Sequence, residues 1–562
     1  MKGLIIYIIA IVLFSNSFLV SQKLINGYVK SEISGESLIN AYVEINSKST
    51  KIIRKTITNE YGFYKISIPS GSYIMTVSYV GYNSKNILLD ILNDTTVNVN
   101  LKSQQLNNVV IYDNSSSNIL QERIELGHIN FDIEKIKTIP SLTGEPDILK
   151  VLSLAPGINL GVEGSSSLFV RGGTPDQNYI LLDEAPVYNP AHLFGFISVF
   201  NGDALKNVDI WKSSFPARYG GRLSSIIDIK MREGNRKKRK IKYRLGLLSS
   251  SAVIEGPISK RISYIVSGRT SYFDVFTFPL KIQYNSGKRS NYFNYRMYDL
   301  NAKMNYKISP RSKFFISYYH GGDMIVNRQK FSNTEDISDF KWINSTVTSR
   351  FFRQLGKSMF FNAIFYFSEY KQNYLFIDKI DLPQNNEYNN RLDNNLSINE
   401  FGAKLNFESL LFENHYLKYG GSIIRRFYRP IDMNITFADS SNINKKLEYK
   451  NSEFASFVED EFKLSNRLSS NIGIRFSGLR LSEKYNWDIE PRISIKYDLE
   501  NNYALKLSFS KMKQYINWSK PFVGSLPFDI WLPSTKNLPP QRAFHYNLGL
   551  NKKIKQQNID IS

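Results

Sequence analysis

Residues 167–233 constrain the fold more than any other part of this 562-residue chain. Four short apolar runs, at residues 168–170, 179–182, 208–211 and 226–229, are separated by Gly, Pro, Asp and Asn. Apolar runs of this length between turn-forming residues predict strands joined by loops. The segment therefore predicts a small sheet.

Two arginine–glycine clusters lie between these runs. They comprise Arg171, Gly172 and Gly173 in the first cluster, and Arg218, Tyr219, Gly220, Gly221 and Arg222 in the second. Glycine adopts positive φ at little cost and lets other groups approach the backbone closely. The clusters therefore predict tight turns or close contacts.

The order of these motifs resembles a known family. The sequence reads VRGG, then NYILLDEAPVYNPAHLFGF, then FPARYGGRLSSIIDIKMREG, which is similar to the plug domain of TonB-dependent outer-membrane receptors. Upstream, residues 146–154 carry apolar residues at helical spacing and end at residues 155–157 (APG), and they resemble the plug helix that precedes PGI. The resemblance implies a small α+β plug domain over residues 119–233.

The N-terminus predicts export. Lys2 precedes an apolar stretch at residues 4–14, and a second short apolar run leads to Ser21 and Gln22. This pattern is typical of a secretory signal peptide, here over residues 1–22. A short membrane anchor is the alternative.

The sequence contains no cysteine, which rules out a lipoprotein anchor, a disulfide framework and thiolate metal sites. The five histidines are scattered without the spacing of metal ligands. No nucleophile–base pair or carboxylate pair stands out either. We therefore predict no metal site, no cofactor, no catalytic residue and no enzymatic activity.

The formal net charge is +22 at pH 7, and residues 236–240 (RKKRK) form a basic run. A nucleic-acid partner is the usual interpretation of such a charge. A signal peptide disfavours that interpretation, because exported chains seldom meet nucleic acid. Outer-membrane lipid, through its anionic headgroups, is the predicted neighbour.

Residues 23–102 alternate short β-prone runs with turns. The runs are residues 25–29, 41–45, 52–58, 63–68, 73–79, 87–89 and 97–101. Regular spacing of this kind predicts an all-β sandwich. The segment resembles the carboxypeptidase-regulatory-like domain that often precedes the plug, and we interpret it as an interaction or spacer module because peptidase zinc ligands are absent from it.

Residues 103–118 contain a short β-prone run between polar residues. Its apolar and aromatic members are Leu106, Val109, Val110, Ile111 and Tyr112. A strand without a sheet of its own offers its backbone hydrogen bonds to a partner strand. The run resembles the TonB box, which a TonB-type energy-transducing periplasmic protein binds in this family. A final strand of the preceding sandwich is the alternative.

Apolar and polar residues alternate in residues 234–562, for example at residues 241–247, 262–267 and 505–510. Beside a plug, this period predicts an antiparallel transmembrane β-barrel with its apolar face toward lipid. Polar stretches such as residues 378–395 are expected to form long loops at one end. Residues 308–312 are expected to form a short turn at the other end.

Roughly thirteen strands can be counted in this region, whereas plugged barrels use about 22. The terminal aromatic strand that such barrels usually show is also missing, and an open edge would leave backbone groups unpaired in lipid. We therefore expect a partial barrel in a fragment of a longer chain. The predicted fold class is mainly β: an N-terminal β-sandwich, a small α+β plug and an antiparallel transmembrane barrel whose C-terminal part is missing.

Three plug arginines, Arg171, Arg218 and Arg222, are candidates to pair with inward-facing carboxylates of the barrel, because arginine is a permanently charged bidentate donor. Residues 459–461 (EDE) contain candidate partners. The alternative is that the arginines are solvated or face phosphate, since exposed ion pairs carry little energy.

Three further plug residues have predicted roles. Asp183 and Glu184 are predicted to cap a turn, at a point where the family more often has Gly in place of Glu184. His192 matches the family segment NPAHLFGF, and a structural role is expected for it. The substrate-binding residues are unknown.

The resemblance implies gated active transport into the periplasm, which the plug and the N-terminal domain face. A ligand bound outside biases the plug and exposes the TonB box, and force from the TonB-type partner opens a path. A non-transporting surface receptor or binding protein with the same fold is the alternative, and an enzyme is the weakest hypothesis. A surface lipoprotein is a further candidate partner, and the imported ligand is not specified by any motif.

Overall fold

The computed structural model describes most of the chain. The described residues are 22–47, 53–103, 124–137, 139, 147–161, 168–381, 387–410, 415–465, 467–481, 484–500, 503–519, 522–523, 526–527, 530–554 and 557–561. They fall into two compact units, Met1–Ser115 and Ser116–Ser562. Residues 1–21 of the predicted signal peptide and the predicted TonB box at residues 106–112 lie outside the described residues.

The first unit contains eight strands in two sheets. They are β1 (Gln22–Ser31), β2 (Tyr42–Ser47), β3 (Ile53–Ile57), β4 (Phe63–Pro69), β5 (Gly71–Ser78), β6 (Lys85–Ile91), β7 (Thr95–Thr96) and β8 (Val99–Leu101). In one sheet β1 pairs with β4, β7 and β8, and in the other the order is β3-β2-β5-β6. Both sheets contribute to one core, which includes Ile25, Val43, Ile68 and Met75. The predicted sandwich is confirmed.

The second unit begins with a small sheet and short helices. Its strands are β9 (His128–Asp132), β10 (Ile158–Leu160), β11 (Leu168–Val170), β12 (Asn178–Leu182), β13 (Ala185–Pro186), β14 (Ala191–His192), β15 (Ile197–Ser198), β16 (Leu205–Lys212) and β17 (Ser225–Met231). Its helices are α1 (Ile133–Ile136) and α2 (Ile148–Leu152), with 3₁₀ turns at Pro175–Gln177 and Leu193–Gly195. The main sheet has the order β13-β12-β17-β16-β9, and within it only β12 and β17 run parallel. Three of the four predicted apolar runs, at residues 179–182, 208–211 and 226–229, form strands of this sheet, whereas the run at residues 168–170 is β11 and pairs with β10 in a separate two-stranded sheet.

Helix α2 is shorter than predicted. The sequence pattern predicts a helix over residues 146–154, whereas the described helix is Ile148–Leu152. The Asp147 side chain caps it by accepting a hydrogen bond from the amide of Lys150 at 3.2 Å, which places the helix start at Ile148. The buried residues of α2 pack on the core of the small sheet.

The rest of the second unit is a large sheet with one helix. Its elements are β18 (Lys240–Leu245), β19 (Ser249–Pro257), β20 (Ile262–Ser271), helix α3 (Phe273–Asn285), β21 (Asn291–Ser309), β22 (Ser312–Lys330), β23 (Thr334–Leu355), β24 (Met359–Asp381), β25 (Glu387–Ser409), β26 (His415–Thr436), β27 (Asn442–Lys463), β28 (Leu468–Leu481), β29 (Lys484–Asp498), β30 (Tyr503–Gln514), β31 (Ile516–Ser519), β32 (Phe522–Val523), β33 (Leu526–Pro527), β34 (Ile530–Pro533), β35 (Gln541–Ile554) and β36 (Gln557–Ile561). We call α3 the rim helix.

Fifteen strands form this sheet in chain order, from β18 to β30 and then β35 and β36. The described pairings are antiparallel between sequence neighbours, as expected for a barrel wall. Within the described residues, β18 pairs only with β19 and β36 only with β35. The sheet therefore does not close on itself in the part of the chain that the structure describes.

The two faces of the large sheet differ in polarity. Ile241, Tyr243 and Leu245 are 72%, 78% and 80% exposed on one face, which we call the outer face. Ser263 and Ser267 lie on the opposite, inner face and are buried. The predicted alternation is therefore confirmed, with the polar face turned toward the small sheet.

The polar stretch at residues 378–395 was expected to be a loop, and this expectation is wrong for most of it. Strands β24 and β25 extend through it and leave only residues 382–386 undescribed between them. Side-chain hydrogen bonds link the extension, including Asn390 to Asp378 at 3.3 Å and Asn373 to Asp393 at 3.2 Å. A strand solvated on both faces needs no apolar residues, so polarity alone does not identify a loop.

Residues 308–312 form the expected short turn between β21 and β22. The longer connections are elsewhere, at residues 272–290 with the rim helix and at residues 515–540 with β31 to β34. No helix among the described residues is long and apolar enough to cross a membrane.

Thr58 provides a test of the first unit, where it is fully buried. Its Oγ1 accepts a hydrogen bond from the amide of Ala41 at 2.8 Å and donates one to the carbonyl of Leu38 at 2.6 Å. Thr58→Val keeps the shape but leaves both backbone groups unpaired, which costs about 2 kcal/mol. We expect hydrogen exchange of residues 38–45 in the full chain to accelerate at least about tenfold.

Thr56→Val is the matched control, because Thr56 lies on the same strand run but is only half-buried. Equal exchange rates in the two variants would contradict the role assigned to the Thr58 hydroxyl.

Candidate functional site

The candidate site is the contact between the small sheet with its loops and the inner face of the large sheet. The loop at residues 213–222 follows β16 and carries the second arginine–glycine cluster. The Arg492 guanidinium, on β29, donates to the carbonyl oxygens of Phe215, Pro216 and Tyr219 at 3.0, 2.5 and 2.7 Å. One buried guanidinium thus holds the loop through three backbone acceptors.

A second arginine of the large sheet holds the same loop. Arg475, on β28, donates to the carbonyl oxygens of Ala217 and Arg218, each at 3.2 Å. Glu459, on β27, accepts a hydrogen bond from the amide of Ala217 at 2.5 Å. A Cβ at Gly220 would lie 2.4 Å from Nε of Arg475, so this glycine provides the close approach that the cluster predicts.

The structure places the three predicted plug arginines in different surroundings. Arg171 donates to Asn547 Oδ1, on β35, at 2.6 Å and to Ser213 Oγ at 3.0 Å. Arg218 lies over the ring of Tyr219, 4.7 Å from its centroid. Arg171 is therefore a direct link between the small and large sheets.

Arg222 is 3% exposed and lies within the small sheet's own packing. It donates to the carbonyl of Asn178 at 3.3 Å and lies 5.0 Å from the centroid of the Tyr179 ring. Of the predicted partners at residues 459–461, Glu459 contacts the loop through the Ala217 amide, and Asp460 contacts His415 on the neighbouring strand at 2.6 Å.

A buried cluster on β25, β26 and β27 receives Tyr188 from the plug segment. Arg426 is 1% exposed and forms ion pairs with Glu400 and Glu453. The hydroxyl of Tyr188 donates to Glu400 at 2.5 Å, and that of Tyr366 donates to the same carboxylate at 2.6 Å. Glu400, paired with Arg426, thus accepts hydrogen bonds from two tyrosines, and Tyr188 comes from the loop after β13.

Asp183 and Glu184 form the predicted turn and also pair with lysines. Their φ angles are +46° and +78°, which explains why the family more often has Gly at the second position. Lys303, on β21, contacts Asp183 at 2.8 Å, and Lys404, on β25, contacts Glu184 at 3.1 Å.

Glu184 is charged despite its burial. Lys230 of β17 lies 2.6 Å from its carboxylate, opposite Lys404. Burial raises the pKa of Glu184, but Lys230 and Lys404 outweigh burial and hold this pKa well below its usual value. The turn is thereby tied to both sheets.

His192 lies between two aspartates of the large sheet and is fully buried. Its Nε2 lies 2.9 Å from Asp299 of β21, and its Nδ1 contacts Asp323 of β22. Arg269 of β20 also contacts Asp299 at 2.5 Å, and the hydroxyl of Tyr319 donates to Asp299 at 3.0 Å. The imidazolium therefore bridges two carboxylates, which agrees with the structural role expected for it.

The charge of His192 depends on these neighbours. Burial lowers the pKa of His192, but Asp299 and Asp323 outweigh burial and raise this pKa from 6.5 to about 9. The ring is therefore protonated at neutral pH.

Sequence reasoning missed the partners on the large sheet. Arg475, Arg492, Lys303 and Lys404 lie singly on separate strands without a motif. Their common signal is a charged residue at an inward position of a strand, since burying a charge there requires a partner. No motif, however, specifies which inward charge meets which loop.

A cleft lies between the small sheet and the connection at residues 515–540. Its lining includes Asp176, Tyr179, Tyr188, Arg222, Trp518 and Trp531. Trp518 and Trp531 are stacked with centroids 6.0 Å apart, and Tyr188 meets Trp531 edge-on at 5.4 Å. Among the residues that the structure describes, no group of three His, Cys, Asp or Glu side chains is placed to hold a metal ion.

We expect His192→Gln to weaken the contact between the two sheets. The variant leaves Asp299 and Asp323 without the imidazolium between them, at a cost of about 3 kcal/mol. The urea concentration at which residues 191–198 lose hydrogen-exchange protection should therefore fall at pH 6. His320→Gln is the matched control, because His320 lies on the outer side of β22, near Tyr298 and Ser345.

The same contact predicts a pH dependence. The folded-state pKa of His192, about 9, lies above its ordinary 6.5, so the stabilisation is complete below about pH 6.5 and is lost as pH rises through about 9. The loss should approach about 3 kcal/mol in the native chain and be absent in His192→Gln. If the hydrogen-exchange protection of residues 191–198, corrected for intrinsic exchange, depends on pH equally in the native chain and in His192→Gln, the assignment is refuted.

Three protein-family models match the chain. The CarboxypepD_reg-like domain matches residues 25–111, the TonB-dependent Receptor Plug Domain matches residues 137–225, and the model named TonB dependent receptor-like, beta-barrel matches residues 272–562. The last match alone covers more than half of the chain. No curated protein matches the sequence.

Solved structures of receptors share the fold. The siderophore receptor PirA from Acinetobacter baumannii has a TM-score of 0.53 at 13% identity, over 78% of this chain and 69% of its own. The ferric yersiniabactin uptake receptor FyuA from Yersinia pestis has a TM-score of 0.54 at 11% identity, over 77% and 70%. A mutant ferric enterobactin receptor, PfeA from Pseudomonas aeruginosa, in complex with enterobactin has a TM-score of 0.51 at 14% identity, over 76% and 70%.

At these identities the solved structures establish the fold alone. The family follows from the sequence models, whose plug match lies on the small sheet and whose barrel match lies on the large sheet. The chain therefore belongs to the family of TonB-dependent outer-membrane receptors.

Proposed function

We propose that this receptor imports a ligand across the outer membrane by a gated, energy-dependent movement of its plug. Membership in the family implies an outer-membrane location, an imported ligand and a TonB-type partner. Family members are receptors and transporters, and we propose no catalytic activity for this one. The observation that carries the proposal is the set of polar contacts that fix the plug to the inner face of the barrel wall.

Because of these contacts, the plug is expected to move between two defined positions and not by gradual displacement. The loop at residues 213–222 is held by two buried arginines, and His192, Asp183 and Glu184 are held by charges on other strands. Each buried charge that loses its partner is costly, so the contacts resist partial opening. A ligand must bias this arrangement, and force from the partner must complete the opening.

The domain limits that support this mechanism are also proposals. They are a signal peptide at residues 1–22, a regulatory-like sandwich at residues 23–102, a linker at residues 103–118, the plug at residues 119–233 and the barrel wall at residues 234–562. In this arrangement the plug and the sandwich face the periplasm. The linker carries the TonB box at residues 106–112, where the partner adds a strand.

The ligand path is proposed to begin at the cleft beside the connection at residues 515–540. Trp518 and Trp531 offer an aromatic surface, and Arg222 and Asp176 supply charges beneath it. A planar or ring-containing ligand fits such a surface, since aromatic rings stack on one another. Solved structures of similar fold are named as receptors for ferric enterobactin and ferric yersiniabactin, so ferric enterobactin is the first probe.

A disulfide between plug and barrel tests the gating. Ser214 of the plug loop and Ser508 of β30 have hydroxyl oxygens 3.0 Å apart, and the native chain contains no cysteine. Ser214→Cys with Ser508→Cys should lock the plug and reduce uptake of radiolabelled ferric enterobactin by at least about tenfold, with recovery after reduction.

The matched control is Ser494→Cys with Ser508→Cys. These residues are paired across β29 and β30, so their disulfide joins two wall strands and leaves the plug free. Full uptake by the locked plug would refute the gating proposal. If the native chain transports no enterobactin, the rate at which Ser214→Cys alone reacts with a maleimide in energised and de-energised cells gives a ligand-independent measure of opening.

The TonB box is tested by a proline exchange. Val110→Pro removes a backbone donor from the proposed added strand, and binding of the receptor to the C-terminal domain of the TonB-type protein should weaken at least about tenfold. Ser116→Pro, in the same linker but outside the box, should leave binding unchanged. Equal binding of both variants would place the partner's contact elsewhere.

A further inference from the structure

The rim helix packs by one side and exposes apolar residues on the rest of its surface. Thr277 and Tyr284 are buried on the side that packs against the barrel wall. On the rest of its surface the exposed fractions of Val275, Phe276, Phe278 and Ile282 are 66%, 66%, 60% and 54%. A helix that packs by one face normally presents polar residues on the other. The exposed side of the rim helix therefore requires a cover.

The rim helix lies on the outer face of the wall. Thr277 Oγ1 donates to Asn294 Oδ1 at 2.7 Å, and the rings of Tyr284 and Tyr292 lie 6.1 Å apart. Asn294 and Tyr292 are an even number of residues from Leu300 along β21, and residues at such spacing lie on the same face of a strand. Leu300 is an exposed outer-face residue. The helix therefore packs on the outer face of the wall, outside the lumen.

The helix runs across the strands. At its start the hydroxyl of Tyr272 donates to the carbonyl of Gly246, between β18 and β19. Near its end the hydroxyl of Tyr284 donates to Glu335 of β23 at 2.5 Å, and Lys330 of β22 lies over the Tyr284 ring. Helices that lie in a membrane interface run along the surface in this way, with one apolar side in the lipid.

The exposed side continues the apolar band of the wall. Leu245 and Leu247, in the hairpin that the start of the helix contacts, are 80% and 76% exposed. Leu300, six residues from Asn294 along β21, is 40% exposed on the same face. The apolar surface of the strands and that of the helix are therefore neighbours on one face, which favours the same cover for both.

Basic residues border this apolar surface. Lys281 is exposed on the helix, Lys288 and Arg289 follow its C-terminus, and Arg296 is exposed on the outer face of β21. The one acidic residue of the helix, Asp274, is half-buried. Basic residues beside an apolar helix side match anionic lipid headgroups, which add electrostatic attraction to apolar burial.

We propose that the rim helix is an interfacial membrane anchor, with Val275, Phe276, Phe278 and Ile282 inserted among acyl chains and the basic residues bound to anionic headgroups. The inference rests on the outer-membrane location of the family and not on import. A lipid cover is favoured over a protein cover because the helix start adjoins the exposed Leu245 and Leu247 of the outer face and basic residues border its apolar surface. A protein cover is an outcome of the test.

Spin labels at single cysteines measure where the helix lies. The receptor with Phe276→Cys or Phe278→Cys is reconstituted in vesicles of phosphatidylcholine with about one third phosphatidylglycerol. Label accessibility to oxygen, which partitions into lipid, is compared with accessibility to a water-soluble nickel chelate. We expect the oxygen-to-nickel ratio at both positions to exceed that of Ser441→Cys, in an exposed hairpin turn, by at least about threefold.

Phe365→Cys, on the outer face of β24 and 57% exposed, is the lipid-facing reference. A high ratio at Phe365 with a low ratio at Phe276 and Phe278 would overturn the anchor proposal while leaving the membrane location intact. Low ratios at all three positions would overturn both. Import, measured separately, does not enter either conclusion.

The basic residues are tested with the label kept at Phe276→Cys. Adding Lys281→Glu and Lys288→Glu should abolish the increase in the ratio that phosphatidylglycerol produces over pure phosphatidylcholine. An unchanged increase would refute headgroup binding. A photo-crosslinker at position 276 in native outer membranes should join lipid, and a protein adduct as the main product would show that a partner covers the helix instead.

Discussion

The structure depends on one constraint: polar and charged groups buried on the inner face of the barrel wall must find partners. Water cannot supply these partners where the small sheet fills the space, so the plug supplies them. Arg492 alone donates hydrogen bonds to three carbonyl oxygens of one loop. The arginine–glycine clusters follow from this, because backbone can approach a guanidinium so closely only where no side chain intervenes.

The interface between plug and wall combines buried ion pairs with an apolar cluster, in which Tyr188 and Ile197 of the plug pack against Phe340, Trp342 and Ile398 of the wall. His192 between two aspartates and Glu184 between two lysines are each buried and paired. Such pairs add little net stability compared with an apolar core, but they penalise wrong registers heavily. A plug held in this way has a defined seat, which suits a part that must move and return.

Much of the fold could be predicted from the sequence, because apolar period and turn chemistry are local signals. The sandwich, the small sheet and the alternating wall follow from them. Residues 378–395 were mistaken for a loop, since strands beyond the membrane are solvated on both faces and lose the apolar period. The interface was predicted only on its plug side. Arg475, Arg492 and Lys404 carry no motif, and their pairing is set by how strands 200 or more residues away register against the plug.

The uneven height of the wall has a consequence for how a ligand arrives. Strands β24 and β25 have 23 residues each, whereas β19 and β20 have 9 and 10. About ten residues suffice to cross the apolar layer, and at about 3.3 Å per residue a 23-residue strand is about 75 Å long. Residues 308–312 and the other turns at the same end of the wall are short. The extra residues of β24 and β25 therefore extend beyond the membrane at the opposite end. One side of the wall thus stands higher than the other, so the approach to the plug is shorter over β19 and β20 than over β24 and β25.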